Sequence, residues 1–583
     1  MDEDVRERVE RQAEVDALYN AVKHGSEAQV GAILGPLMGE NPEFREYGDQ
    51  IAGVVAPVVE RVKAMDPDER GTRLAELAPE RVEELEAEEE ADEQTLPDLP
   101  NAEEGSVRMR VAPNPNGPWH IGHARMAAVV GTYAERYDGS FLCRFDDTDP
   151  ETKRPDLAAY SAIVEAIGYL GFEPDEVVRA SDRLDTYYEH ARRLVDAGGA
   201  YTCSCPAGAF SDLKNAGEAC PHRDKAAEQV HEEFERMVAG EYDDGEMVLR
   251  VRTDIEHPNP ALRDWVAFRM VDTPHPREAA ADYRCWPMLD FQSGVDDYLT
   301  GVTHIIRGID LQDSAKRQGF VYDYFDWEYP EVVHWGHVEV EAYDVPMSTS
   351  AIRERIETGD LDGWDDPRAP TVASLRRRGI RGDALVAAMT ELGMSTTNVD
   401  LAMSSVYAEN RERIDADTDR AFLVRDSDSH GDGQRTSSQN RAVERPVEGG
   451  PDAGTPPVHP EFEERGRREI PVESGVFLER ADLPPAGERV WLKGFGCVSH
   501  TGESLKFVDA PLSVTREEGV DIVHWVPADT NVPVRLRTPE GDLSGYAEPG
   551  VNGYEANDTL QFERVGFARV DSTDPFVAYF AHR

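Results

Sequence analysis

Between residues 107 and 200 the chain alternates strand-like and helix-like patterns. The apolar run VRMRVAP precedes the helical pattern HARMAAVVGTYAERYDG, and the run SFLCRFDDTD precedes the helical pattern LAAYSAIVEAIGYLG. The same alternation resumes at GVTHIIRGIDL and the helix after it. Strands that alternate with helices in this way form a parallel α/β sheet. The sequence therefore predicts an α/β unit that is interrupted by an insert.

The 583 residues are several times the usual domain length, so we expect three to five domains. Apolar residues at helical spacing, among them Val5, Val9, Leu18 and Val22, predict an N-terminal helical domain over residues 1–80. An acidic linker follows, although its first half could equally continue as an exposed helix. We assign the linker to 81–106. The first half of the α/β domain is 107–200, the insert with the cysteines is 201–285, and the second half of the domain is 286–355.

The C-terminal part reads differently. Residues 356–415 predict a helical region, with VASLRRRG and GDALVAAMTELG as helices. Residues 416–583 contain short strand patterns separated by turn signals, which predicts β-barrels. Within them, about 426–458 has almost no apolar periodicity and predicts a disordered or loosely ordered excursion.

The chain is strongly acidic, with 115 Asp and Glu against 61 Lys and Arg and a formal net charge of −54. Charge spread along a whole chain opposes compaction unless salt screens it, so we interpret the composition as that of a halophile. An acidic interaction surface is the alternative. The balance argues against nucleic-acid binding, except that the arginine groups 376–378 and 465–468 could supply a basic path.

The chain shows no sign of secretion. Its start, MDEDVRERVERQAEVDALYNAV, is acidic where a signal peptide is basic, and no later run reaches membrane-spanning length. Six cysteines in 583 residues do not form a disulfide framework. We expect a cytoplasmic protein that has no membrane partner.

The string from Arg110 to His123, RVAPNPNGPWHIGH, lies where a strand passes into a helix. Backbone N–H groups at a helix N-terminus attract anions, and the glycines at 117 and 122 let a nucleotide approach the backbone. The imidazoles of His120 and His123 can donate to phosphate oxygens. This string predicts a triphosphate site.

Two further strands end in charged residues. The carboxylate of Asp146, in RFDDTDP, can hold an ammonium group at the end of its strand, although an acidic turn in an acidic protein is the plainer interpretation of that motif alone. The guanidinium groups of Arg110 and Arg307 suit bidentate binding of carboxylates. Taken singly, each arginine would more often form a surface ion pair.

Cys203 and Cys205, followed after a loop by Cys220 and His222, form two close pairs of metal ligands. Two such pairs can close a tetrahedral zinc site, with unpaired buried thiols as the alternative. Since all four ligands would come from the protein, the metal would be structural.

The histidine string resembles the HIGH signature of class I aminoacyl-tRNA synthetases, and the R-x-A-P-x-P-x-G before it is similar to the glutamyl and glutaminyl branch. The resemblance implies a multidomain α/β fold with a Rossmann-type class I catalytic domain. It also implies an acceptor-stem insert at 201–285, a stem-contact region at 356–415 and C-terminal β-barrel anticodon-binding domains. Barrels are typical of the archaeal and eukaryotic subgroup, and the N-terminal helical domain is an addition seen in archaeal relatives, so the resemblance is to the archaeal, haloarchaeal-like type. Glutamyl enzymes of several lineages are similar in bearing a zinc site in the insert.

The resemblance also implies roles for individual residues. The groups expected at the reacting phosphates are His120, His123 and Arg353. The groups expected to bind ATP are Asn114, Asn116, Gly117, His120, Gly122, His123, Met347, Ser348 and Ser350. The groups expected to bind glutamate are Arg110, Asp146 and Arg307, and the structural zinc would take Cys203, Cys205, Cys220 and His222.

The sequence departs from the family pattern at two places. In the KMSKS-like loop, Pro346 and Thr349 stand where the lysines would be, and Ala351 replaces the lysine that follows in archaeal relatives. Arg353 is the nearest cation, and we expect it to take over their charge. In WPMLDFQ, Leu289 replaces the tyrosine often found in glutamate pockets, so side-chain recognition is expected to lean more on Arg110.

The implied reaction uses ATP, Mg²⁺ and L-glutamate to form glutamyl-adenylate, and then esterifies the 3' end of tRNA(Glu). Use of tRNA(Gln) as a second substrate stays open, and we expect a monomer. The alternatives are a glutaminyl-tRNA synthetase, a shortened relative that modifies a tRNA base, and a catalytically retired tRNA-binding protein. Length disfavours the second of these, because about 300 residues follow the third motif.

Overall fold

The computed structural model describes residues 3–24, 30, 33, 37, 47–79, 81–82, 96–340, 342–426 and 441–583 of the chain. They form two units with separate cores, Met1–Pro97 and Asp98–Arg583. None of the described helices is both long enough and apolar enough to cross a lipid bilayer.

The first unit is helical. Its longest helix packs on two shorter ones, and the three helices are Glu3–His24, Gly48–Lys63 and Pro67–Leu77. Val9 and Leu18 are fully buried, as their spacing predicts, whereas Val22 at the end of the first helix is 38% exposed. Asp66 caps the third helix by accepting from the backbone N–H of Glu69 (2.8 Å), while the Glu69 side chain accepts from the backbone N–H of Asp66.

The second unit is built on parallel strands, as the alternating pattern predicts. Strands β1 to β5 are Arg108–Val111, Ser140–Phe145, Glu176–Arg179, His304–Gly308 and Glu331–Trp335. They form a sheet in the order β1-β2-β3 and a parallel pair β4-β5. The Thr303 N–H, just before β4, donates to the Arg108 carbonyl of β1 (2.8 Å). The strand order therefore reverses between β1 and β4, and ligands of open α/β sheets bind at such a point, beyond the carboxyl ends of the strands.

Helices cover these strands, and an antiparallel sheet interrupts them. The covering helices are Ile121–Arg136, Leu157–Tyr169, Leu184–Asp196, Leu289–Leu299 and Gln312–Phe325. The inserted strands are Ala200–Cys203, Val248–Val251, Val266–Met270 and Cys285–Pro287, and the inserted helices are Ala207–Ala216 and Ala227–Val238. After β5 the chain continues through the helices Thr349–Glu357, Val372–Arg378, Gly382–Glu391 and Met403–Ile414.

Two seven-stranded sheets make up the C-terminal part. The first sheet contains Asp419–Ala421, Leu423–Arg425, Val532–Thr538, Gly541–Ala547, Thr559–Phe562, Gly566–Thr573 and Phe576–His582. The second contains Ala442–Glu448, Gly475–Glu479, Arg489–Leu492, Gly496–His500, Leu505–Val508, Ile522–Val523 and Val526–Pro527. In each sheet the two end strands are consecutive pieces of chain, separated by one or two residues. Both sheets therefore curl into barrels, which confirms that prediction.

The prediction of a disordered or loosely ordered excursion at about 426–458 is wrong for the second half of that range. Residues 427–440 lie outside the described residues. Ala442–Glu448 is a strand of the second barrel. Its first part pairs antiparallel with Gly475–Glu479, and after Pro446 it pairs in parallel with Leu505–Val508. Proline cannot donate to a ladder, so it suits the residue where the strand changes partner. Since both partners are distant in sequence, the local pattern gave no sign of this strand.

Candidate active site

The loop after β1 leads directly into the helix Ile121–Arg136, whose N-cap is His120 in extended conformation. The rings of His120 and His123 stack, with centroids 3.7 Å apart. The Nδ1 atom of each ring is buried and has no hydrogen-bond partner among the described residues. A buried polar atom without a partner costs about 1–3 kcal/mol, so such atoms call for an explanation. Both ring nitrogens are therefore available to a ligand at this turn.

Burial lowers the pKa of His120 to about 4. Burial, with a smaller contribution from the neighbouring His120 ring, lowers the pKa of His123 to about 3. Both imidazoles are therefore neutral near pH 7, and each carries one N–H. They can donate a hydrogen bond to an anion but bring no net positive charge to it.

The 346–353 segment packs on the same turn. A Cβ atom on Gly117 would overlap the Thr349 methyl group, and one on Gly122 would lie 3.6 Å from the Met347 methyl group. Glycine is needed at 117 because of this close approach rather than for its backbone angles. The structure thus brings together the histidine turn and the KMSKS-like loop, which are more than 200 residues apart.

Arg353 lies beside this contact. Its Nη2 donates to the Asn116 carbonyl and lies 3.3 Å from the Asp156 carboxylate. Its side chain is still 38% exposed, so it is held at the rim of the turn rather than buried in it. In the same loop, Ser348 and Ser350 are exposed.

Asn114 joins the first motif to the second. Its Nδ2 donates to the Asp146 carbonyl (2.9 Å), and its buried Oδ1 lacks a partner. The Asp146 N–H in turn donates to the Pro113 carbonyl (3.0 Å). The loops that follow β1 and β2 are therefore bonded to each other at the carboxyl edge of the sheet.

A cluster of buried charges lies beside this edge, with Asp297 at its centre. Asp297, in the helix Leu289–Leu299, accepts from Arg144 (2.6 Å) and Arg110 (3.1 Å) and lies 3.9 Å from Arg307. Burial opposes its charge, but the three guanidinium groups prevail and lower the pKa of Asp297. Asp297 therefore stays ionised and holds the two arginines expected to bind glutamate.

Asp146 belongs to the same cluster. It accepts from Arg144 Nε (2.7 Å) and Gln292 Nε2 (3.1 Å). Burial raises the pKa of Asp146 despite the guanidinium beside it. Asp296, which lies 4.0 Å from Arg144 and pairs with Arg183, belongs to the same cluster. Arg110, Arg144, Arg183 and Arg307 therefore face Asp146, Asp296 and Asp297, which leaves one positive charge in excess. Such a balance favours a ligand with a net negative charge, for example one with two carboxylates and one ammonium group.

Arg307 keeps an unused donor. Its Nη1 donates to Gln318 (3.1 Å), while its buried Nε has no partner among the described residues. Burial, followed by the nearby Arg110 cation, lowers the pKa of Arg307. A carboxylate placed between the two arginines would relieve both effects.

The four residues of the expected metal site come together in the insert, with one ligand atom from each of Cys203, Cys205, Cys220 and His222 within 4.8 Å of the others. The sulfurs of Cys203 and Cys220 are 3.8 Å apart, and His222 Nδ1 lies 3.3 Å from Cys205 Sγ. Zinc bonds of about 2.3 Å to sulfur place tetrahedral sulfurs about 3.8 Å apart. The donor set and its spacing fit zinc.

A cavity of about 460 Å³ lies between the insert and the helix Gln312–Phe325. Lys214, Arg250 and Arg317 line it, together with Leu289, which is 41% exposed. Burial, followed by the nearby arginines, lowers the pKa of Lys214. Asp264 and Asp290 also line the cavity, and Arg317 pairs with Asp290 (2.7 Å), so acids offset much of this positive charge.

The arginine groups expected to supply a basic path do not form one. Arg378 is buried, and Arg377 pairs with Asp365 (2.8 Å) and Asp571 (3.1 Å). In the second group, Arg465 pairs with Asp419, and Arg468 pairs with Glu548 and Glu563. Only Arg376 and Arg467 of the two groups are exposed. The expectation was wrong because acids from other parts of the fold pair closely with three of these six arginines and a fourth, Arg378, is buried.

Comparison with known proteins identifies the family. Residues 106–416 match the catalytic domain of "tRNA synthetases class I (E and Q)", and 439–510 and 522–571 match two anti-codon binding domains of the same class. The chain is 70% identical to the glutamate–tRNA ligase of Haloarcula marismortui over 100% of both chains. The chain belongs to the class I tRNA synthetases for glutamate and glutamine.

More distant synthetases match over nearly the same length. The glutamate–tRNA ligase of Natronomonas pharaonis is 66% identical over 100% of both chains, and that of Methanosarcina acetivorans is 43% identical over 97% of this chain and 98% of its own. The resemblance, the fold class and the enzyme class expected from the sequence are confirmed. The anti-codon matches fall on the two barrels.

Inspection of the motifs missed three residues of this synthetase site. Arg144 stands inside the quoted string RFDDTDP but had no role, and Gln292 and Asp297 lie in a helix far along the chain. The adjacent acids at 296 and 297 in the helical segment LDFQSGVDDYL were the available signal. With 115 acids in the chain, that signal did not stand out.

Proposed function

We propose that this chain is a glutamate–tRNA ligase, which forms glutamyl-adenylate from L-glutamate and ATP and esterifies the 3' end of tRNA(Glu). The observation that carries the proposal is its 70% identity, over the full length, to a protein of that name. The excess positive charge around Arg110 and Arg307 supports a dicarboxylic substrate. A glutaminyl enzyme is not favoured, because relatives down to 43% identity are glutamate–tRNA ligases.

The phosphates of ATP would lie along the turn formed by Asn114, Asn116, Gly117 and Gly122. His120 and His123 would donate to them through ring nitrogens that otherwise lack partners. Met347, Ser348 and Ser350 would cover the other side of the nucleotide. Mg²⁺ enters as part of the Mg–ATP substrate. Preorganised donors of this kind stabilise charge that develops in the transition state.

Glutamate would lie beside the buried charge cluster. Asp146 would hold its ammonium group, while Arg110 and Arg307 would receive carboxylate oxygens. The α-carboxylate attacks the α-phosphate of ATP, pyrophosphate leaves, and the terminal ribose hydroxyl of tRNA then takes the acyl group. No side chain forms a covalent bond, so catalysis consists of positioning and charge stabilisation.

Arg353 would replace the cations that the KMSKS-like loop lacks. It reaches the Asn116 carbonyl at the turn and remains partly exposed. Rotation of this side chain away from Asp156 would bring its charge to the departing pyrophosphate. The unpaired imidazole nitrogens also argue against a retired enzyme. Burying them without a hydrogen bond destabilises the fold unless a ligand supplies the missing bond.

Zinc in the insert would be structural, since Cys203, Cys205, Cys220 and His222 fill a tetrahedron without leaving an open position. Ser204 Oγ lies 3.2 Å from the other ring nitrogen of His222 and would fix that ring. We further propose that the synthetase acts as a monomer in a salt-rich cytoplasm. The net charge of −54 supports the salt requirement.

Aminoacylation in molar KCl, with glutamate or glutamine and with tRNA(Glu) or tRNA(Gln), tests the function. We expect glutamate to be charged onto tRNA(Glu), and a variant with alanine at both 120 and 123 to be inactive. Charging of tRNA(Gln) with glutamate would add that second substrate. Charging with glutamine would favour the glutaminyl enzyme, and tRNA binding without any charging would favour a retired one.

A further inference from the structure

The guanidinium group of Arg378 is buried where three segments of the chain meet. Its Nε donates to the Phe580 carbonyl (2.9 Å) and its Nη2 to the Ala581 carbonyl (2.6 Å), both in the last strand of the first barrel. Nη1 donates to the hydroxyl of Tyr343 (3.1 Å), and Nη2 also donates to that of Tyr407 (3.0 Å). One side chain thus joins the barrel to two other segments.

The partners of Arg378 are all neutral. Its side chain is 1% exposed, and no carboxylate of the described residues lies within ion-pair distance of it. A buried cation without an acidic partner keeps much of its desolvation cost. In a chain with 115 acids an acidic partner would have been easy to supply. The arginine instead forms four hydrogen bonds in fixed directions, which hold the guanidinium group in one orientation more strictly than a single ion pair would.

Tyr343 stands at the base of the KMSKS-like loop. Two residues later, Val345 is buried in a small apolar cluster with Ile352 and Leu361. The loop then reaches the histidine turn, where the Met347 methyl group lies beside Gly122. A shift of the Tyr343 hydroxyl would therefore change the place at which the loop contacts the histidine turn.

The barrel side of this connection is tightly packed. A Cβ atom on Gly379, the residue after Arg378, would lie 2.9 Å from the side chain of Arg569 in the strand Gly566–Thr573. Arg569 Nη1 also donates to the Arg377 carbonyl (3.0 Å). The end of the helix Val372–Arg378 therefore moves with the barrel.

We propose that Arg378 is a positioning residue that fixes the position of the KMSKS-like loop, residues 343–350, relative to the C-terminal barrel. Its bonds to two barrel carbonyls fix the guanidinium, and its bond to Tyr343 passes that position to the loop. A displacement of the last barrel strand by bound tRNA then changes how the loop covers the histidine turn. This inference rests on the proposed function, because the loop matters for the rate only if it contacts ATP.

Tyr343→Phe and Tyr407→Phe form a matched pair for the test. Each variant removes one phenol acceptor from the same guanidinium, but only Tyr343 belongs to the loop. Glutamate-dependent ATP–pyrophosphate exchange is measured for both over a range of tRNA concentrations that reaches saturation. We expect kcat to fall about 10-fold in Tyr343→Phe, with an unchanged KM for tRNA, and to stay within about twofold in Tyr407→Phe.

Hydrogen–deuterium exchange of residues 345–352 supplies a readout that does not depend on activity. We expect faster exchange in Tyr343→Phe than in Tyr407→Phe. Equal kcat values, or equal exchange rates, in the two variants would overturn the inference. If the parent protein lacks glutamate-dependent exchange, the proposed function fails, and the deuterium comparison still decides whether Arg378 positions the loop.

Discussion

Replacement of Asp297 by asparagine tests the organisation of the buried charge cluster. The carboxylate accepts from Arg144 and Arg110 and lies 3.9 Å from Arg307. Asparagine keeps the shape but turns one acceptor into a donor that faces a guanidinium group. Breaking one partner of a buried ion pair costs about 3–5 kcal/mol, so we expect Asp297→Asn to lose free energy of unfolding in that range.

The effect on activity follows from the orientation of Arg110. A hydrogen bond to a charged group contributes about 1.5–3 kcal/mol, which corresponds to about a 10- to 150-fold loss in kcat/KM for glutamate. We expect this loss in ATP–pyrophosphate exchange with glutamate varied, while the KM for ATP stays nearly constant. Urea unfolding in molar KCl measures the stability change.

Asp296→Asn is the matched control. Asp296 is the neighbouring buried carboxylate, which accepts from Arg183 (2.8 Å), Tyr187 (2.6 Å) and Gln292 (3.1 Å). It lies 4.0 Å from Arg144 but forms no ion pair with Arg110 or Arg307 among the described contacts. We expect a comparable loss of stability with a much smaller change in kcat/KM for glutamate. A folded Asp297→Asn protein with the parental kcat/KM, or equal losses in the two variants, would show that Asp297 does not hold the arginines proposed to bind glutamate.

Three further predictions concern the histidine turn, the loop and the insert. Because burial holds the pKa values of the paired imidazoles near 4 and 3, adenylate formation should show no step near pH 6.5. The unfolded chain takes up these protons first, so the imidazoles' contribution to stability should fade as the pH drops from about 6.5 towards 4, which melting curves against pH can follow. Arg353→Ala should slow adenylate formation at least about 10-fold, whereas Arg355→Ala, on the same helix, should not; equal rates would contradict the assigned role. Metal analysis should find about one zinc per chain, lost in Cys220→Ser and retained in Cys285→Ser, and a zinc-free parent chain would refute the site.

The catalytic sheet could be predicted because its pattern is local. Each strand is a short apolar run, each crossover is a helix of its own, and site residues follow the strands. The histidine turn and Asp146 were found in this way. The contact between Gly117 and Thr349 was not, because it depends on how a segment more than 200 residues away folds back.

Charged residues were harder to place from sequence. Arg377 and Arg468 look like parts of basic runs, yet each is neutralised by acids that come from distant strands or loops. Asp297 is the opposite case. It looks like one acid among many in the sequence, but in the fold it lies at the centre of the buried charge cluster. In a chain where nearly every segment is acidic, composition does not distinguish a solvated carboxylate from a buried one. Only the fold decides which arginine each carboxylate meets.

The closure of the two barrels has a consequence for the behaviour of the chain in concentrated salt. Like-charged copies of a protein normally keep apart, but dissolved ions shorten the range of that repulsion to a few ångströms at molar concentration. Sulfate-like salts also strengthen the association of apolar surfaces. A sheet that ends on an unpaired strand would then offer neighbouring molecules a template for growth. Here the segment from Asp419 to Arg425 completes one ring and that from Ile522 to Pro527 completes the other, so the two barrels present side chains rather than a free strand edge to neighbouring molecules.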